Sequence, residues 1–406
     1  MENSGLKIRE YAEGDEEKIS DLLFHVSDSP RSVDYWKWKY KNNPAGFFPN
    51  LIWIADHKGT LASYYALVPH RIRAGGCVLL AAQSLDTVTS PKYRRRGLFQ
   101  TLARKTLEEA ANNGIFLIFG YPGRMSYGGF LKIGWTEVLL IPKHYRVLSI
   151  RKALKCGLYW DLIKKTRPRK IYTATKMFWK AAKKQDLTEE EAHYIGLVRD
   201  TLLLIAGMAT NPFALFHFRH FAKVKDVLLH QVNSFDDRIN VFWEKMAKEF
   251  NIVVQRDHQY LNWRYCRDPL HKCEIFLAET EAEIVGYMVL RCEYESAEGL
   301  ILEIFAFQNN VFCSMIEVAE RYFKDSGMVT VQCWMAYHHR YAKLLRKSGF
   351  FSHRWVARFC LRWFHLGFLK GVFHPLIVVL SSQEARKNGI DFLNELNWFV
   401  AMGDQS

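Results

Sequence analysis

Two ten-residue blocks, far apart in the chain, share one pattern, and a repeat of this kind restricts the possible folds more than composition does. Tyr35-Trp36-Lys37-Trp38-Lys39-Tyr40-Lys41-Asn42-Asn43-Pro44 matches Tyr260-Leu261-Asn262-Trp263-Arg264-Tyr265-Cys266-Arg267-Asp268-Pro269, with Trp38 on Trp263, Tyr40 on Tyr265 and Pro44 on Pro269. The likeness continues downstream. Residues 52–59 and 61–68 read as strand, turn and strand, and so do 275–280 and 284–290. A helix-like stretch precedes each block, at 16–24 and 237–250. Each unit ends on a helix closing with Lys-x-Gly-aromatic: Lys132-Ile133-Gly134-Trp135 and Lys347-Ser348-Gly349-Phe350. The chain is expected to hold two like units, 1–150 and 236–406, joined by a connector over 151–235.

The units differ at one loop. Residues 77–82 and 84–89 read as strand, and Leu98, Leu102, Leu107 and Ala110 recur near helical spacing up to Asn112-Asn113-Gly114. Between them stands Arg94-Arg95-Arg96-Gly97-Leu98-Phe99. A glycine turn that opens a helix leaves several backbone N–H groups unpaired and pointing at one spot. The helix dipole and three arginines make that spot attractive to phosphate. In the second unit, strand-like 300–307 passes through Gln308-Asn309-Asn310 straight into helix-like 312–323. Without the glycine turn its amides cannot cradle a pyrophosphate.

Arg-x-x-Gly-x-x after a strand, then an apolar strand at 115–120, a short helix and Lys-x-Gly-aromatic, resembles the coenzyme A loop and core of the GNAT superfamily of N-acetyltransferases. The likeness runs over roughly residues 7–148, and Phe99 departs from the glycine or alanine usual at its position. It implies an α/β fold with a mixed sheet: two tandem GNAT-like domains, the second degenerate, joined by a basic helical connector. It also implies acetyl-CoA as co-substrate. The pantetheine arm would lie between two splayed strands against the backbone of Val88 and Thr89. The pyrophosphate would sit on Arg94, Arg95, Arg96, Gly97, Leu98 and Phe99. In such a fold a backbone N–H at the end of the first strand of that pair serves the thioester oxygen.

Acetyl transfer to an amine needs a neutral nucleophile, a donor for the oxyanion and a proton for the thiolate. Asp86, just before the loop, is the carboxylate expected to orient or deprotonate the amine; a strand-end carboxylate held by turn amides is the other reading. The family's proton donor is a tyrosine four residues before the glycine of the Lys-x-Gly motif, and here that residue is Phe130. Tyr127 and Tyr121 are the substitutes, with His144 a third titratable group; a thiol pKa of ~8.5 also lets the thiolate leave unassisted. Trp36, Trp38, Phe47 and Phe48 could stack on sugar rings, which suggests an amino-sugar or glycan acceptor. Core packing is the alternative for the same rings.

The chain has 406 residues, 49% of them hydrophobic, and so can bury sizeable cores. Its eight cysteines are scattered with no C-x-x-C, which reads as reduced thiols and no metal site. The N-terminus lacks a signal peptide's apolar core and no run is a convincing membrane span, so a cytoplasmic protein is expected, either free or peripheral on a membrane surface. The net charge of +14 is concentrated: residues 151–184 carry twelve Lys/Arg and one acid. That stretch could meet an anionic membrane surface or an acidic polymer, or form a solvated bridge; nucleic acid is not expected. Two rivals to the acetyltransferase stand: a peptidoglycan-bridge-type aminoacyl transferase, which would need no coenzyme A loop, and a non-catalytic acyl-CoA sensor or scaffold.

Overall fold

The computed structural model describes residues 5–27, 31–149, 226–352, 373–380 and 390–404. Residues 151–225, nearly all of the basic connector, lie outside the described residues. Strands β1 (Leu6–Glu10), β2 (Ile52–His57), β3 (Thr60–Ala74) and β4 (Cys77–Thr89) follow one another as antiparallel neighbours, and β5 (Leu117–Gly120) joins β4 in parallel. Helices α1 (Asp15–Ser27) and α2 (Val33–Lys39) lie between β1 and β2, and α3 (Leu98–Asn112) links β4 to β5. Helix α4 (Arg124–Lys132) leads into β6 (Thr136–Val147).

β3 shows why this sheet is layered. Tyr65 and Leu67 pack on one face with Leu98, Leu102, Ala103 and Ala110 of α3, spaced four, one and seven residues apart along one apolar stripe. Tyr64, Ala66 and Val68 pack on the other face with Ile19, Leu22 and Leu23 of α1 and Trp36 of α2. The strand alternates between two covered faces and is apolar on both, as a central strand must be.

The second half repeats the order of elements. It runs β7 (Leu228–Val232), α5 (Arg238–Met246), β8 (Ile252–Val254), α6 (His258–Leu261) with a π-helical turn at Asn262–Cys266, β9 (Glu274–Glu279) and β10 (Ile284–Glu293). Then come β11 (Glu298–Ala306), α7 (Asn309–Asp325), β12 (Thr330–Trp334), α8 (Arg340–Lys347) and β13 (Phe351–Ser352). The paired aromatic blocks are helical, and their matched tryptophans meet. The Trp38 indole donates to the Trp263 carbonyl at 2.8 Å, the Trp263 indole donates to the Trp38 carbonyl at 2.8 Å, and the rings stack at 5.1 Å.

The halves are also interlocked through the sheet. β14 (Phe373–Leu380), from the C-terminal end of the chain, lies between β5 and β6 and pairs with both. β6 in turn continues past β14: its first residues pair with β14, and Lys143–Val147 pair with β12 of the second half. Each half therefore borrows a strand. One mixed sheet runs β1-β2-β3-β4-β5-β14-β6-β12-β11-β10-β9-β7, with β8 against β3 and β13 against β6.

Candidate active site

The site is built where β4 and β5 part. Their parallel pairing is Ala81–Leu117, Ala82–Ile118 and Gln83–Phe119, and it stops there because β5 is short and runs into Tyr121-Pro122-Gly123. Beyond Gln83, β4 continues through Thr89 with no strand on that edge among the described residues. Paired to β3 on its other side, it bulges at Asp86, whose φ is +51°. An open slot thus lies along residues 84–89, and Val88 and Thr89 stand on its wall.

The arginine loop closes the far end. Ser90 N–H donates to the Ala62 carbonyl at 3.0 Å, a short 3-10 turn follows at Pro91–Tyr93, and the Arg94 side chain ties back to the Thr89 carbonyl at 3.3 Å. Arg95 (φ +64°) and Gly97 (φ +76°) are both left-handed, so the backbone curls and its amides converge as in an anion nest. Gly97 is the N-cap of α3 and no side chain caps the helix, which leaves the first-turn N–H groups for an incoming anion. Arg94, Arg95 and Arg96 are exposed around this mouth, and Leu98 is buried beneath it as the anchor of α3. The expected pyrophosphate residues and the slot residues are thus brought together.

The expected proton-transfer residues are not. The Asp86 carboxylate accepts from Lys39 Nζ and the Tyr40 hydroxyl, each at 3.1 Å, and pairs with Arg31 on its other oxygen. With both oxygens occupied, its geometry serves orientation better than proton abstraction. Tyr127 donates to Glu137, which pushes its phenol up to about 12. It packs on the α3 side of the sheet. Tyr121 faces the other way, with its ring at 6.2 Å from Phe119 and 6.3 Å from Trp334. Burial raises its phenol well above the ordinary value. His144 is buried against the Met335 carbonyl (3.0 Å) in the second half of β6. Trp36 and Trp38 are buried, so neither offers a face for stacking on sugar.

Three residues near the slot carried no sequence signal. Lys39 is fully buried beside Asp86, and burial with Arg31 and Arg264 nearby pulls it well below the usual ammonium range, against a weaker opposite pull from Asp268. His70 and Gln83 are buried on β3 and β4, on the face turned to the second half. Lys39 hides in an aromatic run, and a lone His or Gln in a strand is unremarkable without tertiary contacts.

Among the described residues the second half has no such site. Its β11-to-α7 turn contains no left-handed residue, and the backbone beside it is sealed. The Tyr341 hydroxyl donates to the Ala306 carbonyl at 2.7 Å and Arg340 donates to the carbonyls of Ala306 and Phe307, both at 2.9 Å. The C-terminal segment lies along β11, with Phe399 on Phe305 (5.2 Å) and Gly403 so close that a Cβ would collide with the Tyr265 hydroxyl. Arg256 fastens it, bonding Glu303 (2.9 Å) and Asp404 (2.7 Å) in full burial.

The constellation is a splayed β4/β5 pair with an anion nest at the head of α3. Residues 7–138 match the acetyltransferase (GNAT) domain family. The whole chain is similar to three solved structures. A GCN5-related N-acetyltransferase from Anabaena variabilis shares 10% identity (TM-score 0.56, covering 93% of this chain and 73% of that one). A probable N-acyltransferase from Enterococcus faecalis shares 10% (TM-score 0.51; 82% and 66%). N-myristoyltransferase from Saccharomyces cerevisiae, solved with myristoyl-CoA, shares 12% (TM-score 0.52; 94% and 83%). The chain thus spans slightly less than two thirds of the E. faecalis protein, and at these identities the likeness concerns the fold. No curated protein sequence matches the chain. Among the described residues no helix is long and apolar enough to cross a membrane.

Proposed function

We propose that the chain is an N-acyltransferase that carries an acyl group from coenzyme A to an amine. The observation that carries this reading is the nest at Arg95–Gly97 at the open end of the β4/β5 slot, because a pyrophosphate on that nest would let a pantetheine arm follow the slot in one line. Acetyl is the acyl group proposed, and acetyl-CoA the co-substrate. The first half performs the chemistry, while the second, duplicated half walls the acceptor side. An amino sugar or glycan is one acceptor class to test, although the buried tryptophans remove its stacking surface. The 151–184 stretch is proposed to approach an anionic membrane surface or acidic polymer. Peptidoglycan-bridge-type aminoacyl transfer is disfavoured by the loop itself. A non-catalytic acyl-CoA sensor draws support from one observation, the absence of a hydroxyl at Phe130.

The test is Gly97→Asp. A Cβ at Gly97 would meet nothing within 4 Å, so the fold should survive apart from the cost of a left-handed aspartate, on the order of 1 kcal/mol. The new carboxylate would face the amides meant for pyrophosphate, and acetyl-CoA affinity by calorimetry should fall by roughly 100-fold or more. Unchanged affinity would remove the reading.

A further inference from the structure

His70 stands on β3 opposite Ala81 of β4, and it is 2% exposed. Neither of its ring nitrogens completes a hydrogen bond of ordinary geometry. The Gln83 side chain is within hydrogen-bonding reach of the ring, Phe119 lies 5.6 Å from it and Tyr260 6.1 Å. Gln83 and Phe119 are the last residues to pair before β4 and β5 separate. Val68 is the β3 residue opposite Gln83, so His70 lies two residues behind the apex of the slot, beside the Phe119 ring and on the face away from α3. Buried polar groups are normally satisfied, and an exception asks for a role. The six residue steps from Gln83 to Thr89 span about 20 Å at ~3.3 Å each, of the order of an extended pantetheine arm. With pyrophosphate on the loop, the thioester would arrive at the apex.

We propose that His70 is the proton-transfer residue of this site: its neutral imidazole takes the acceptor amine's proton at the apex and passes it to the departing sulfur. This rests on the acyl-CoA reading above. In the step, the nitrogen of a neutral amine bonds to the thioester carbon and the carbonyl pair moves onto oxygen. The positively charged nitrogen, now acidic, loses its proton to the ring. The oxyanion collapses, the C–S bond breaks with its pair on sulfur, and the imidazolium protonates that thiolate. Amine and acyl-CoA become amide and free coenzyme A, and the ring ends neutral as it began. The groups around His70 keep it neutral beforehand: burial comes first, then Arg264 beyond α6, Arg256 and Lys39 of α2, which together bring it down to about 3, against a weaker opposite pull from Gln83. The same step fills the role that Phe130 cannot.

The experiment uses the full chain, wild type and His70→Gln, with ring-labelled histidine. The His70 resonance is assigned by its loss in the variant, and acetyl-CoA is titrated in. Acetylation of glucosamine, spermidine and tryptamine is measured alongside. The expected result is a His70 shift on saturation, acetyl-CoA affinity within about threefold of wild type in H70Q, and kcat lowered ~30-fold or more on any amine turned over. A ring that ignores acetyl-CoA while the protein binds it overturns the inference alone, and so does full kcat in H70Q. A wild type that does not bind acetyl-CoA instead overturns the acyl-CoA reading on which this rests. Should H70Q fail to fold, His70→Asn supplies the assignment and the titration on wild type decides.

Discussion

Phe99 and Phe130 each stand where the GNAT pattern has something else, and they touch. Their rings meet edge to face at 5.1 Å, and a Cβ on Gly129 would come within 2.9 Å of the Phe99 ring. A large residue in the loop thus goes with an apolar one on α4 and a glycine beside it, a compensation invisible when each position is read alone. Arg256 is the second single residue with wide consequence. Its guanidinium holds Glu303, Asp404 and the Val254 carbonyl, with Tyr287 donating to Glu303 at 2.5 Å. Arg256→Ala strands two buried acids and should cost about 3–5 kcal/mol in urea unfolding. His70 and His144 supply a pH test. Both are fully buried and brought down, to about 3 and about 4, so the unfolded chain binds their protons first. Their contribution is intact above pH ~6.5 and should fall as pH drops toward 4, by up to about 1.4 kcal/mol per pH unit each. A double His70→Gln, His144→Gln variant with an unchanged slope of stability against pH would contradict this.

At the scale of elements, β14 decides most. Ile377 is fully buried in the core beneath α3, with Leu67, Ala82 and Ile118, although it comes from the far end of the chain. Ile377→Ala should destabilise by about 2–5 kcal/mol and lower acetyl-CoA affinity, because β14 braces β5 beside the slot. Equilibrium unfolding and calorimetry on one preparation would check both. The helix stripes and strand alternation of these elements were legible from sequence. The placement of β14 was not: a strand of Phe373–Leu380 carries no mark of which neighbours it will have, since pairing partners are chosen by the sheet and not by local propensity.

For the whole molecule, the second half repeats the order of elements, and the C-terminal segment lies along β11, where a second slot would open. The stoichiometry should therefore be one acetyl-CoA per chain by calorimetry, and a value of two would show the second slot to be open. The Trp38–Trp263 pair sits where the halves meet, with each indole bonded to the other's backbone. The strand exchange makes the halves one cooperative body by its geometry, since removing either leaves the other's sheet with an unpaired edge.

The sequence by itself determined the repeat, the α/β elements, the arginine loop and the difference between the halves, because each is written in local pattern: period, glycine position, charge. Tertiary structure alone decided what the loop faces and which side chains share the slot. It placed Asp86 with Lys39, Tyr40 and Arg31, put Tyr121 and Tyr127 on opposite faces, and brought His70 beside Phe119, close to where β4 leaves β5. Those neighbours come from strands and helices far apart in the chain, and only the pairing of β3, β4, β5 and the borrowed β14 sets the distances between them.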